Sequence, residues 1–425
     1  MRPSIRSGAA WTLLGNVGYS ALQYGMLIAI AKLGSPAEVG RFALGLAVSA
    51  PIVILTNLNL RAALVTDSSG EYSVGTYVAL RLLGILTAVS GIAIAASRYD
   101  PNAALVIVLV GVAKGVESFG DVVQGVLQRA ERFRRMSVSL LARGGVSVMV
   151  VAAVMKATHN LALAVLGLAL AWSCILAVID MPAARQIARL GPTFEWSTIV
   201  ELARVAVPLG GVACMTSLIP NVPRYSIEAH LGSTALGYFA AMGYLMVAAL
   251  QPVLALGVAA VPRLATAYTS SLPEFQRLVR RLVAFGIACG VATIVVIVVM
   301  GRPLLKYAYS SDYALNSPVL SWLAIATSLS FVTSMLTYGI TAARRFKPQL
   351  VGSSIALMVC IGATGLLVPR YGLTGAAWAL IAAEAARLAC FVAILSMVLR
   401  QIAADPAAEL EVVRIRAERG EAAVG

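Results

Sequence analysis

Apolar runs of about 20 residues recur from residue 9 to residue 400, parted only by short charged or Pro/Gly-rich breaks. As a helix, a run of that length matches the hydrocarbon thickness of a bilayer. Water could not solvate such a surface: 60% of the residues are hydrophobic and 12% charged, against about 45–50% and about 25% in soluble domains. In lipid every backbone polar group must be bonded within the protein, which leaves helices or closed barrels, and a barrel strand needs only about 10 alternating residues. The chain is therefore expected to be an all-α polytopic membrane protein. Soluble, disordered, collagen-like and disulfide-framed classes are excluded. The five cysteines, Cys174, Cys214, Cys289, Cys360 and Cys390, fall singly inside apolar runs as small core residues.

The runs lie near residues 9–31, 40–64, 75–96, 103–128, 137–157 and 161–182, then 198–220, 233–258, 278–300, 317–342, 349–368 and 372–400, which predicts twelve transmembrane helices. Arg2 and Arg6 precede the first run, and no polar cleavage region follows it, so that helix is expected to stay attached. With a cytoplasmic amino terminus, 23 of the 33 basic residues fall on the inside. The outer segments hold Lys32, Arg41, Arg98, Lys156, Arg224, Arg302, Lys306 and Arg370. That asymmetry predicts both termini inside.

Leu33-Gly34-Ser35-Pro36-Ala37-Glu38-Val39-Gly40-Arg41-Phe42 after the first run matches Leu231-Gly232-Ser233-Thr234-Ala235-Leu236-Gly237-Tyr238-Phe239 after the seventh, with one deletion. Arg132-Phe133-Arg134 after the fourth run matches Arg345-Phe346-Lys347 after the tenth, about 213 residues on. Either Gly-containing turns coincide or the chain is duplicated. Duplication of six helices gives two parallel six-helix bundles around a central cleft, able to rock between inward and outward openings. The expected organisation is an N-terminal bundle at 1–182, a cytoplasmic linker at 183–197, a C-terminal bundle at 198–400 and a cytoplasmic tail at 401–425. Pro51, Pro208, Pro220, Pro223, Pro252 and Pro262 lie within the runs, as hinges or as static kinks.

Ionisable residues at membrane depth mark a pathway or a structural pair. Lys114, Glu117, Asp121, Gln124 and Gln128 follow spacings of 3, 4, 3 and 4, which aligns all five on one helical stripe. Lys114 and Glu117 either line a pathway or neutralise each other. Asn16, Tyr19 and Gln23 share a face of the first helix, and Asn57 and Arg61 share one of the second. Glu384 and Arg387 read as a structural pair. Arg224, in Pro223-Arg224-Tyr225, offers the planar fork that holds phosphate or carboxylate. Arg81 and Arg143 either line the cleft with Arg61 and Arg224, which would suit an anionic, phosphate-bearing cargo, or snorkel to the cytoplasmic interface and set orientation, the reading preferred for these two. Tyr307, Tyr309 and Tyr313 read as interface anchors, with stacking on sugars as the alternative.

The sequence carries no Gly-rich phosphate loop, metal-ligand cluster or nucleophile triad, and His159 and His230 are its only histidines. A transporter is expected rather than an enzyme, with no catalytic residue, cofactor or metal. At this point the chain resembles the polysaccharide transporter branch of the multidrug/oligosaccharidyl-lipid/polysaccharide (MOP) flippase superfamily. The residues that carry the resemblance are the Leu33 to Phe42 turn, Asn59-Leu60-Arg61, Arg132-Phe133-Arg134, Pro223-Arg224-Tyr225 with Leu231-Gly232, Tyr313-Ala314, and Tyr371-Gly372-Leu373-Thr374-Gly375-Ala376-Ala377-Trp378.

The resemblance implies a flippase that moves a polyprenyl-diphosphate-linked oligosaccharide across the inner membrane for O-antigen or exopolysaccharide synthesis, without hydrolysing ATP. Its partners would be that glycan lipid, membrane lipids, and polysaccharide polymerase and chain-length proteins, not nucleic acid. Candidate substrate-binding residues are Arg61, Arg224 and Lys114 for the diphosphate, with Glu117, Asp121, Asn16, Gln23 and Asn57 along the glycan path. The alternative is a cation-coupled multidrug or small-molecule exporter of the same superfamily. Such antiporters carry a carboxylate in the first helix, and none occurs between Ala9 and Ala31 here.

Overall fold

The structure is a computed structural model that describes residues 5–67, 71–343 and 345–404. Arg344 and the tail from 405 onward lie outside the described residues. Among those described there is no strand, and ten helices are long and apolar enough to cross a bilayer. Two of the ten, Ala213–Tyr268 with 56 residues and Lys347–Arg400 with 54, are more than twice the length one crossing needs. Each is broken by a glycine, Gly232 at φ 80° and Gly372 at φ 57°. Each of these two long helices covers two of the twelve runs expected from the sequence.

The chain divides into two compact units, Met1–Ala241 and Met242–Gly425. Unit 1 contains α1 (Ile5–Leu33), α2 (Pro36–Asn57), the short α3 (Leu60–Thr66), α4 (Val74–Ala96), α5 (Pro101–Arg129), α6 (Phe133–Thr158) and α7 (Leu161–Ile175). A π-helical turn at Leu176–Asp180 and α8 (Met181–Arg185) follow. The long α9 (Trp196–Ser270) starts in unit 1 and ends in unit 2. Here α5 is the central post, packed on α2, α3, α4 and α7, while α1 lies along α6. Unit 2 contains α10 (Leu272–Ala308), α11 (Ser311–Ala314), α12 (Ser317–Ala342) and α13 (Phe346–Ala404). Its core gathers Phe275, Phe331, Met335 and Phe391.

Local chemistry sets the helix ends. Ser35 caps α2 through a capping box: its Oγ accepts from the Glu38 N–H, and the Glu38 carboxylate accepts from the Ser35 N–H at 2.7 Å. Proline occupies the first turn of α2 and of α5, where no donor is lost. Inside α9 the backbone leaves helical angles at Gly232, not at any of its prolines, so the expected proline hinges in that stretch are not where the helix breaks. The run expected at 40–64 is likewise divided. Leu58 and Asn59 both stand at φ 51°, ending α2 and starting α3.

The matching turns in the sequence have matching geometry. After α5, the Ala130 N–H bonds the Val126 carbonyl and the Arg132 N–H bonds the Leu127 carbonyl. After α12, Ala343 bonds Gly339 and Arg345 bonds Ile340, each atom 213 positions later. His159 at φ 47° and Gly372 at φ 57° reverse the chain at the same separation. Identical caps at constant spacing favour duplication over coincidence. Within unit 1, the two matched Gly-Ser turns also touch. A Cβ on Gly40 would overlap the Ser233 carbonyl oxygen, and one on Gly237 would overlap that of Pro36. These helix starts therefore cross backbone to backbone, as small residues permit in membranes.

His159 is exposed and holds a left-handed conformation that costs an L-residue about 1–2 kcal/mol. His159→Gly is therefore expected to raise stability by about 1 kcal/mol, and Gly232→Ala to lower it by about 1–3 kcal/mol. Thermal unfolding of the purified protein in detergent checks both, and shifts of the opposite sign would contradict the backbone assignment.

Candidate functional site

The stripe on α5 is the axis of a polar network inside unit 1. Glu117 takes two donors: Lys114 Nζ at 2.6 Å on Oε2 and the Tyr19 hydroxyl of α1 at 2.9 Å on Oε1. Lys114 also lies 5.8 Å from the centroid of the Trp172 ring on α7. Farther along the stripe, Arg61 reaches three α5 residues. Its Nε donates to Gln128 Oε1 at 3.0 Å, and its Nη1 sits 3.5 Å from Gln124 Oε1 and 3.8 Å from Asp121 Oδ1. Arg61 gains this reach from the break at Leu58-Asn59, which turns the chain so that α3 runs against α5.

A second, sealed layer lies behind the first. Arg81 on α4 is 1% exposed, and it donates to Asn57 Oδ1 at the end of α2 and to Ser118 Oγ on α5 at 2.9 Å. Ser118 donates to the same Asn57 oxygen. Arg143 on α6 is 3% exposed, and its Nη2 pairs with Asp180 Oδ2 at 3.1 Å, the carboxylate being 0% exposed. Both arginines turn inward, which corrects the expectation that they snorkel to the interface. Depth along the chain does not determine the direction a side chain takes around its helix, and here neighbouring helices supply the acceptors. Gly120 makes the second contact possible, because a Cβ there would stand 2.8 Å from Arg143 Nη2.

Asp180 and Ser118 are the residues that sequence reasoning missed. Asp180 had a legible signal, an acid in the otherwise apolar run 161–182, one helix after Arg143. It ends the π turn, where an extra residue per turn re-aims side chains, and such turns are frequent at functional sites.

The remaining candidates divide. Gln23 lies on α1, with its Nε2 buried and without a hydrogen-bond partner. Asn16 is exposed and outside the network. Asn57 belongs to the sealed layer through its oxygen. Arg224, on α9, is half-buried and donates to Asn221 Oδ1 at 3.3 Å. Beside it the Tyr225 hydroxyl donates to the Ala47 carbonyl, tying α9 to α2. In unit 2, Glu384 and Arg387 pair at 2.9 Å, nearly buried, as a structural pair should. Tyr309 and Tyr313 stack on each other at 4.9 Å and are buried, while Tyr307 is 87% exposed and alone of the three has an anchor's position.

Exposure separates the two layers chemically. The side chains of Arg61, Asp121, Lys114 and Glu117 are 31%, 36%, 28% and 20% exposed, so they can meet a solute. Arg81, Arg143 and Asp180 cannot. Four cations against three carboxylates leave the two layers with one net positive charge.

No protein-family profile matches the chain. In sequence it is similar to the capsular polysaccharide biosynthesis protein CapF of Staphylococcus aureus, 25% identical over 373 residues, which is 86% of this chain and 93% of that protein. In fold it is similar to the lipid II flippase MurJ in an inward closed conformation, with a TM-score of 0.72 at 11% identity over 95% of this chain and 92% of that one. It is also similar to an inward-facing multidrug resistance MATE family transporter of the MOP superfamily, with a TM-score of 0.64 at 13% identity over 93% and 96%. The chain thus has the fold of these solved structures, and its long apolar helices make it a multi-pass membrane protein. Its sequence likeness to a polysaccharide biosynthesis protein agrees with the branch its motifs resemble.

Asp180→Ala would leave Arg143 buried and unpaired, at an expected cost of about 3–5 kcal/mol. Arg143→Met combined with Asp180→Leu is expected to recover most of that loss, because an apolar pair needs no counter-charge. Thermal unfolding of both variants checks this, and a double variant no more stable than the single one would contradict it.

Proposed function

We propose that this protein is a flippase for a polyprenyl-diphosphate-linked oligosaccharide, carrying it from the cytoplasmic to the outer leaflet of the bacterial inner membrane during polysaccharide synthesis. The observation that carries the reading is the half-open row of Arg61, Lys114, Glu117 and Asp121 at membrane depth, backed by sealed cations that leave a net positive charge. Groups like these would be unstable facing lipid, so the row must face water or a polar cargo. A diphosphate headgroup carries the complementary charge, and the arginine fork matches its oxygens. The similarity to CapF over most of both chains supports a glycan rather than a drug as cargo.

On this reading Arg61, Lys114 and Arg224 hold the diphosphate. Glu117, Asp121, Asn16 and Gln23 offer hydrogen bonds to the sugar hydroxyls, and Asn57 positions Arg81. The protein works by alternating access with no bond made or broken, and both termini lie in the cytoplasm. Its twelve spans form two six-helix repeats, 1–182 and 198–400, joined by the linker 183–197. The exported unit then passes to polymerase and chain-length proteins.

Glu117 and Asp121 favour a second reading, because ion-coupled exporters need carboxylates at membrane depth. Growth of an efflux-deficient host on toxic cations discriminates: the flippase reading expects no added resistance. Arg61→Ala and Arg224→Ala are each expected to abolish complementation of a glycan-export defect at unchanged protein level in the membrane, while Arg61→Lys retains part of it. Normal complementation by both alanine variants would remove diphosphate clamping from the account.

A further inference from the structure

A basic cavity lies at the opposite end of α5 from its Asp100 cap, outside the polar row. The α5–α6 turn carries Arg129, Arg132, Arg134 and Arg135 within seven residues, and beside it opens a cavity of about 800 Å³. That volume is in the range of sites that take a ligand of several hundred daltons. Arg132, Arg134 and Arg135 line one side. Neutral partners hold two of them: the Arg134 guanidinium lies 5.8 Å from the Trp11 ring centroid, and Arg135 Nη1 donates to Gln186 Oε1 at 3.0 Å. None of the three is ion-paired among the described residues. Two acids also border the cavity, but Asp180 is already neutralised by Arg143, which leaves Glu131 against three arginines.

The lining also carries apolar side chains that reach the surface, since Val138, Val178 and Ile179 line the cavity and are 48%, 68% and 38% exposed. Guanidinium groups beside apolar side chains, with a tryptophan in the lining, match a phosphodiester headgroup with the first methylenes of its acyl chains. A soluble anion would have no use for the apolar side chains. Unit 2 repeats the pairing in a smaller cavity of about 240 Å³, where Arg263 and Arg281 stand over Leu264 and Leu278. Basic pockets between helices on the cytoplasmic side are where anionic headgroups bind membrane proteins.

We propose that the cavity lined by Arg132, Arg134, Arg135 and Trp11 is a binding site for an anionic phospholipid of the cytoplasmic leaflet, separate from the cargo path. The site does not depend on what the protein carries. It clamps the α5–α6 turn to α1 and α8 through one headgroup.

The test uses the purified full-length protein, with retained lipid counted by mass spectrometry and thermal unfolding followed on adding phosphatidylglycerol, phosphatidylcholine or inorganic phosphate. The wild type is expected to retain phosphatidylglycerol in preference and to be stabilised by it alone. Affinity should fall about fivefold per arginine removed, and on the order of 100-fold for the combined Arg132→Ala, Arg134→Ala and Arg135→Ala variant. The triple lysine variant keeps the charge and should keep most of the binding, and Arg135→Ala alone reports the effect should the triple alanine variant fail to fold. Equal stabilisation by phosphatidylcholine or by phosphate, or undiminished phosphatidylglycerol binding by the alanine variants, would overturn the proposal. So would displacement of the bound lipid by a polyprenyl phosphate, which would place the cavity on the cargo path.

Discussion

Lipid offers a buried cation neither counter-charge nor hydrogen bond, so each charge at membrane depth must be satisfied by the protein around it. In unit 1 that requirement orders the whole bundle. Arg81 binds α4 to α2 and α5, and Arg143 binds α6 to the π turn after α7. Helix packing in membranes lacks the solvent-driven hydrophobic contribution that holds soluble bundles together. Two sealed cations on four surrounding helices therefore fix rotations that apolar contacts alone would leave loosely specified. The half-open row on α5 then acquires a defined direction because its scaffold cannot turn.

The membrane class and the helix positions were legible in the sequence for the same reason: lipid forces long apolar helices, and their length is readable. The α5 stripe was legible too, since spacings of 3 and 4 bring Lys114, Glu117 and Asp121 to one face whatever packs there. What hydropathy cannot carry is rotation about the helix axis. Arg81 and Arg143 stand where interface-seeking arginines would stand, and only the acceptors on neighbouring helices reveal that they face inward. Asp180 depended on a π turn, which no periodicity announces. The break at Leu58-Asn59 follows from tertiary contacts, because leucine has no preference for left-handed backbone.

Local geometry also bears on the origin of the chain. Sequence matches between the repeats are short and could arise by chance in Gly-containing turns. Backbone hydrogen bonds recurring atom for atom after 213 positions, in the turns whose sequences also match, are harder to obtain independently. His159 and Gly372 make the same point from the other direction. A positive φ recurs at both positions even though one copy carries a residue that must be strained to adopt it.

The strained break next to Arg61 has a bearing on transport. Its flanks are held firmly: before it Asn57 accepts from both Arg81 and Ser118, and after it Leu60 and Leu64 are fully buried. Such over-determination is what lets a left-handed leucine persist. The Arg61 side chain, by contrast, is aimed but lightly held. It has one good bond, to Gln128, a weak one to Met136 Sδ at 3.4 Å, a 3.5 Å contact to Gln124 and an ion pair of 3.8 Å with a carboxylate more than a third exposed. Partly exposed pairs at such distances contribute about 1 kcal/mol or less. On the proposed flippase reading, an arriving phosphate would therefore replace Asp121 as the partner of Arg61 at little cost, and the departing phosphate would be replaced in turn. A cation sealed like Arg143 could never make that exchange. The rigid layer gives the direction, and the weakly bonded layer gives the reversibility that a carrier, unlike a receptor, must have.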